Sequence, residues 1–219
     1  MNAARQRPPL RGLYAITDGR TTTVAQLAAD VDAALRGGAG IVQYRDKRDD
    51  GERRLLEARA LREVTQRHGV PLLINDDVAL AASVDADGVH LGRDDVDIAT
   101  ARRQLPHGSL IGVSCYNRFE LAQQAAAAGA DYVAFGSFFA SPTKPHAVAA
   151  DIGLLRRARA ELGLPVVAIG GISPENGAAL VRAGADMLAV ISALFATTDI
   201  RAAARTFADC FASTEETPS

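Results

Sequence analysis

The sequence predicts an α/β fold, a (β/α)8 TIM barrel in a single domain. Three observations carry that expectation. Short runs rich in Val, Ile and Leu recur eight times, an alanine-rich amphipathic stretch follows each, and one turn phrase recurs where helical stretches end. Eight such units in 219 residues fit a closed barrel. An open doubly wound sheet uses the same units, but no Gly-x-Gly-x-x-Gly follows the first strand and no P-loop pattern occurs.

Leu13 to Thr17 is the first extended run and Val24 to Arg36 its helix. Gly38-Ala39-Gly40-Ile41-Val42 stops that helix and opens the second strand, Ile41 to Arg45, which leads into helix Arg53 to His68. Gly69-Val70-Pro71 ends it; strand Pro71 to Ile74 and the short helix Val78 to Ser83 follow. Strand Gly88 to Leu91 pairs with helix Ile98 to Gln104, and Leu110 to Ser114 with Arg118 to Ala128. Gly129-Ala130-Asp131-Tyr132-Val133 repeats the first stop and opens strand Tyr132 to Phe135. The connection Gly136 to Asp151 has no helical pattern, and its length predicts a binding loop or lid before helix Ile152 to Leu162. Gly163-Leu164-Pro165 opens strand Val166 to Ile169, with helix Pro174 to Ala183; Gly184-Ala185-Asp186-Met187-Leu188 opens Met187 to Ile191, with helix Ile200 to Ala212. Glycine takes the left-handed position after the helix in each phrase, and proline keeps the helix from continuing. The expected boundaries are an N-terminal tail over 1–12, a barrel over 13–212 and a polar C-terminal tail over 213–219.

A hydrophobic content of 48% supports one substantial core. A net charge of -2 and 5% aromatic residues offer neither an electrostatic track for nucleic acid nor platforms for stacked bases. Cys115 and Cys210 form no Cys-x-x-Cys pair, which argues against a disulfide framework. Met1 to Gly12 is basic but holds Pro8 and Pro9 and no apolar stretch, unlike a signal peptide. No apolar run spans a bilayer. The expectation is a cytoplasmic protein with small-molecule partners; a homo-oligomer is compatible with it.

Active sites of such barrels collect at the C-terminal ends of the strands. Those ends carry Thr17 and Asp18; Gln43, Arg45 and Lys47; Asn75, Asp76 and Asp77; His90, Gly92 and Asp95; Ser114; Ser137; Gly170 and Gly171; and Ser192. Strand alternation projects Gln43 and Arg45 together, with Lys47 just beyond. Asp46, Arg48, Asp49 and Asp50 suit a solvated charge run. Asp77 and Asp94 suit helix caps, leaving Asp76 and Asp95 for magnesium, which takes one or two carboxylates plus phosphate oxygens. Gly170-Gly171-Ile172-Ser173, with the loop at Ile191 and Ser192 and a short extra helix, predicts a phosphate site; relief of crowding at a barrel corner is the alternative. His90 reads as a hydrogen-bonded core histidine rather than a catalyst. His68, His90, His107 and His146 lack zinc spacing, and Cys115 has no base partner.

Gln43-x-Arg45-x-Lys47, Asn75-Asp76, Asp87-Gly88-Val89-His90-Leu91-Gly92-x-x-Asp95, Gly112-Val113-Ser114, Ser141-Pro142-Thr143-Lys144, Ile169-Gly170-Gly171-Ile172 and Val190-Ile191-Ser192 together resemble the motif set of the thiamine-phosphate synthase family. The resemblance implies that Gln43, Arg45, Lys47, Asn75, Ser114 and Lys144 hold hydroxymethylpyrimidine diphosphate. It implies that Asp76 and Asp95 ligate Mg2+, and that Ser141, Thr143, Gly171, Ile191 and Ser192 hold thiazole phosphate. Arg45, Lys47, Ser114 and Lys144 form the implied catalytic set of a transferase. Tyr44 stands where the family usually has Leu, Arg93 where Gln is frequent, and the 141–144 segment is more compact than Thr-x-Thr-Lys. A thiazole tautomerase-like isomerase on the same barrel would need no diphosphate clamp, and a phosphate-ligand sensor no catalysis. Arg45, Lys47, Asp76, Asp95 and Lys144 together argue against the first, and an inventory for two substrates and a metal against the second.

Overall fold

Most strands carry apolar residues on both faces, a pattern that requires both faces of the sheet to be covered, here by the barrel interior on one side and a layer of helices on the other. The computed structural model describes residues 10–21, 23–140 and 149–212. Its strands are β1 (Gly12–Ile16), β2 (Ala39–Tyr44), β3 (Leu72–Asn75), β4 (Gly88–Leu91), β5 (Leu110–Tyr116), β6 (Tyr132–Gly136), β7 (Val166–Ile169) and β8 (Met187–Val190). They close in sequence order, all parallel, with β8 pairing back onto β1. The helices are α1 (Val24–Arg36), α2 (Gly51–His68), α3 (Val78–Ser83), α4 (Ile98–Gln104), α5 (Phe119–Ala127), α6 (Gly153–Glu161), α7 (Pro174–Arg182), the short α8 (Ser192–Phe195) and α9 (Ile200–Ala212). Thus the expected barrel and the expected extra helix after β8 are both present. No helix among the described residues is long and apolar enough to cross a membrane.

The five glycines of the repeated turn phrases adopt positive φ: Gly38, Gly69, Gly129, Gly163 and Gly184. Strand parity then sorts the core. Leu13, Ala15, Val89, Leu91, Val133 and Phe135 face the helices, whereas Tyr14, Ile16, Ile41, Leu73, Tyr132 and Met187 fill the barrel interior. The apolar interior residues near the strand starts form a floor, so polar side chains and open space lie toward the C-terminal ends.

Several helix starts are held by acids. Asp50 caps α2 through the Arg53 amide at 3.0 Å, and Asp77 caps α3 through the Leu80 amide at 2.9 Å. The cap expected at Asp94 belongs instead to Asp97, which accepts from the Thr100 amide at 2.7 Å. The reason is positional: α4 begins at Ile98, and a cap directly precedes the first helical residue.

Three strand-start aspartates share a role that the repeated phrases do not reveal. Asp87, before β4, accepts from the Leu72 amide of β3 at 2.9 Å. Asp131, before β6, accepts from Ile111 of β5 at 2.7 Å, and Asp186, before β8, from Val166 of β7 at 2.8 Å. Each carboxylate thereby satisfies an amide at the start of the preceding strand, far from the site. Replacing Asp131 with Ala orphans the Ile111 amide; a loss of about 1–3 kcal/mol in denaturant unfolding is expected, with KM values unchanged.

Candidate active site

The strand ends enclose a cavity of about 540 Å³. Gln43, Arg45, Asn75 and Ser114 line one part of it; Gly171, Ile191 and Ser192 line another. Asn75 also belongs to an adjoining polar recess of about 350 Å³ that contains Lys47 and Asp76. Lys47 thus opens onto the recess beside the cavity that Gln43 and Arg45 line. The strand ends at Tyr44, and beyond it the exposed Lys47 turns to Asp76, with Nζ 2.5 Å from Oδ2. Ser141, Thr143 and Lys144 lie outside the described residues, as does half of the expected lid.

Local packing explains the aim of the β2 end. The Thr17 hydroxyl accepts from the Arg45 amide at 2.8 Å and donates to its carbonyl at 3.2 Å, tying Arg45 to the end of β1. Tyr44, on the opposite face, donates to buried Glu57 at 2.7 Å, so this departure from the family pattern points away from the cavity. The expected solvated run is also only partly solvated. The Asp46 carboxylate is buried beneath Arg48; burial disfavours its charge, but the Arg48 hydrogen bonds hold its pKa below the ordinary range.

Asp76 and Asp95 lie close enough to shift each other's ionisation. Burial acts to raise the Asp76 pKa, but bonds from Lys47 and Asp95 bring it below the usual value. Burial raises Asp95; the Gly92 amide, 2.7 Å away, opposes, and neighbouring Asp76 adds to the rise. Opposite shifts are expected where two carboxylates share a site. A hard divalent cation resolves that repulsion, and two carboxylates beside room for phosphate oxygens suit magnesium. No cluster of three or more metal-ligating side chains occurs among the described residues. Asp76 at φ 63° and Tyr116 at φ 54° adopt the left-handed conformation at strand ends beside the site.

His90, 8% exposed, uses both ring nitrogens: Nδ1 lies 2.8 Å from the Tyr132 hydroxyl and Nε2 2.8 Å from Ser114 Oγ. Burial lowers its pKa to about 4, partly opposed by Asp76. Cys115 faces the helices and burial pushes its thiol up to about 12, which leaves it without nucleophilic character.

At the β7 end, Gly170 and Gly171 have φ 103° and 62°. A Cβ at Gly171 would lie 2.5 Å from the Ala140 carbonyl oxygen, and one at Gly170 1.9 Å from Ser137 Oγ. The close approach of the β6 loop thus requires both glycines, whatever else the loop binds. Asn176 fixes the same turn, accepting from the Ser173 amide at 2.9 Å and donating to the Gly171 carbonyl at 3.0 Å.

Arg20 went unmarked in the sequence. Its guanidinium donates to Ser192 Oγ at 3.0 Å and pairs with Asp18 at 2.9 Å, bringing a cation from the β1 loop to the β8 end. Gly19 at φ 71°, directly after Asp18, was the available sign of a tight turn there. Tyr14 and Tyr116 also line the cavity. Tyr14 was legible in principle, because it shares strand parity with Ile16; nothing in the sequence marked Tyr116, whose backbone departs from regular strand.

A family model described as thiamine monophosphate synthase matches residues 13–194. The chain belongs to that family. A thiamine-phosphate synthase from Methylobacillus flagellatus is 55% identical over 204 residues, covering 93% of this chain and 97% of that protein. One from Thioalkalivibrio sulfidiphilus is 52% identical, covering 92% and 96%. Among solved structures, thiamine phosphate pyrophosphorylase from Pyrococcus furiosus superposes with a TM-score of 0.83 at 34% identity, covering 93% of this chain and 96% of that one. This thiamine monophosphate synthase family member is accordingly a transferase of thiamine biosynthesis. Its buried Cys115 and Cys210 should resist iodoacetamide at pH 8 in the native protein and both be alkylated after unfolding, as read by intact mass.

Proposed function

We propose that this chain condenses hydroxymethylpyrimidine diphosphate with hydroxyethylthiazole phosphate to give thiamine phosphate and pyrophosphate; the carboxylated thiazole would in addition release carbon dioxide and take up one proton. The observation that carries the reading is one cavity with Gln43, Arg45, Asn75 and Ser114 on one side, Gly171 and Ser192 on another, and the Asp76–Asp95 pair beside it. Gln43, Asn75 and Ser114 orient the pyrimidine, while Arg45 and Lys47 face its diphosphate. Backbone amides around Gly171, Ile191 and Ser192, with Arg20, hold the thiazole phosphate. Ser141 and Thr143 join that phosphate site, and Lys144 the diphosphate clamp, by family resemblance alone.

The bond between the pyrimidine methylene carbon and the diphosphate oxygen breaks with its electron pair leaving on pyrophosphate. The ring stabilises the remaining cation, and the thiazole nitrogen lone pair then forms the new C–N bond. No proton need move, which fits a site with charged clamps and a His90 already engaged by Tyr132 and Ser114. Asp76 and Asp95 would hold magnesium, whose positive charge would stabilise the departing diphosphate. Lys47 holds Asp76 in place and shields its charge.

Incubating the purified protein with both substrates, with and without magnesium, should yield thiamine phosphate only with the metal; its absence in both arms refutes the reading. Asp76→Ala and Asp95→Ala should each lower kcat at least ~100-fold, on the scale of lost transition-state charge stabilisation, while retaining the wild-type melting transition. Because Gly171 is fixed by packing, the phosphate end is better tested through Arg20. Arg20→Ala should raise KM for thiazole phosphate about 10-fold and leave KM for the pyrimidine diphosphate within about 2-fold, the loss of one charge-assisted hydrogen bond.

A further inference from the structure

The condensation makes no direct use of Tyr14, Tyr132 or His90, yet these side chains form a continuous chain through the barrel interior. Gln43 Nε2 donates to the Tyr14 hydroxyl at 2.6 Å; the Tyr14 and Tyr132 hydroxyls are 2.8 Å apart; Tyr132 reaches His90 Nδ1, and His90 Nε2 reaches Ser114 Oγ, each at 2.8 Å. Its two ends are the cavity residues read above as pyrimidine ligands. Tyr14 is 1% and Tyr132 0% exposed, so water does not complete their hydrogen bonding.

Proton counting sets the direction of the chain. Gln43 Nε2 only donates, and each hydroxyl has one proton. If Tyr14 accepts from Gln43 and donates to Tyr132, then Tyr132 donates to Nδ1, Nε2–H donates to Ser114, and the Ser114 proton is left for the cavity. With Gln43 Nε2 toward Tyr14, any other assignment on a neutral imidazole strands a buried hydroxyl proton; turning the carboxamide over would reverse every bond with none stranded, so the Nε2 contact is what sets the direction. The same orientation turns the Gln43 carboxamide oxygen away from Tyr14.

The barrel makes room for this arrangement at Gly112. A Cβ there would lie 1.8 Å from Tyr132 Cζ and 2.2 Å from its hydroxyl, so the tyrosine occupies the volume that β5 leaves empty. The Tyr132 ring stacks on His90 at 5.7 Å and meets Tyr14 edge-on at 6.0 Å, which fixes all three rings.

We propose that Tyr14, Tyr132 and His90 are positioning residues that set the hydrogen-bond polarity of the pyrimidine pocket, so that Gln43 presents an acceptor and Ser114 a donor. That pair matches the exocyclic amino group and a ring nitrogen of an aminopyrimidine. A 4-oxo pyrimidine, with a carbonyl in place of the amino group, would face Gln43 with acceptor against acceptor. The proposal rests on the pyrimidine reading of Gln43 and Ser114.

Two measurements on the full chain test it. Nitrogen-15 NMR of the ligand-free protein, with His90 assigned from the missing signal in His90→Gln, should show the Nε2–H tautomer; the Nδ1–H tautomer overturns the stated direction. Kinetically, the wild type should prefer the amino over the 4-oxo pyrimidine diphosphate by at least ~100-fold in kcat/KM, falling below ~10-fold in Tyr132→Phe, with the KM for thiazole phosphate unchanged. Tyr14→Phe breaks the chain one bond earlier and serves if Tyr132→Phe does not fold. Unaltered discrimination in a folded variant means that the chain is structural only and overturns the proposal. Failure of the wild type to form thiamine phosphate would instead refute the functional reading, while the tautomer still decides the direction of the chain.

Discussion

Closing eight parallel strands forces alternate side chains of every strand into an interior that water barely reaches, and any polar group placed there must find its partner on another strand. This constraint shapes the molecule. Where the interior residues are apolar, as at Ile41, Leu73, Leu110 and Met187, they pack into a floor. Where they are polar, as at Tyr14, Gln43, His90 and Tyr132, they satisfy one another across β1, β2, β4 and β6. The site sits above the floor because only there does the barrel leave space.

Charge is handled by separation. Acids at the start of the strands hold backbone amides, those that cap helices hold helix starts, and Asp76 and Asp95 remain facing each other at the rim. Asp46 resembles the rim acids in sequence but lies beneath Arg48, and Arg54 neutralises the capping Asp77 at 2.8 Å. Two strand ends depart from regular backbone to reach this arrangement. Asp76 tolerates the left-handed conformation as aspartate often does, whereas Tyr116 is held there against the Arg93 guanidinium, 4.9 Å from its ring centroid.

That contact also accounts for Arg93, one of the single-residue departures from the family pattern. Arg93 spends its cation on the face of Tyr116, and Tyr44 sends its hydroxyl to Glu57 on the outer face of the barrel. Burial and the adjacent Glu57 push the Tyr44 pKa upward, so it remains a neutral donor. Neither substitution removes a group from the cavity.

The sequence by itself determined the barrel, because hydrophobic periodicity and glycine stops are local signals that any eight-unit chain must carry. It also marked residues that the structure brings to the cavity or its rim: strand parity pointed to Gln43 and Arg45, and position at a strand end to Asn75, Asp76, Asp95, Ser114, Gly171 and Ser192. Parity fails once a strand ends, so Lys47 opens onto the adjoining recess and Asp97 rather than Asp94 became the cap. Only the tertiary structure decided which residues meet across the barrel. Arg20 comes to Ser192 from 172 positions away, and Tyr14 to Tyr132 from 118. Such pairings leave no mark in a single sequence, since closure of the sheet, not any local preference, sets the distance between them.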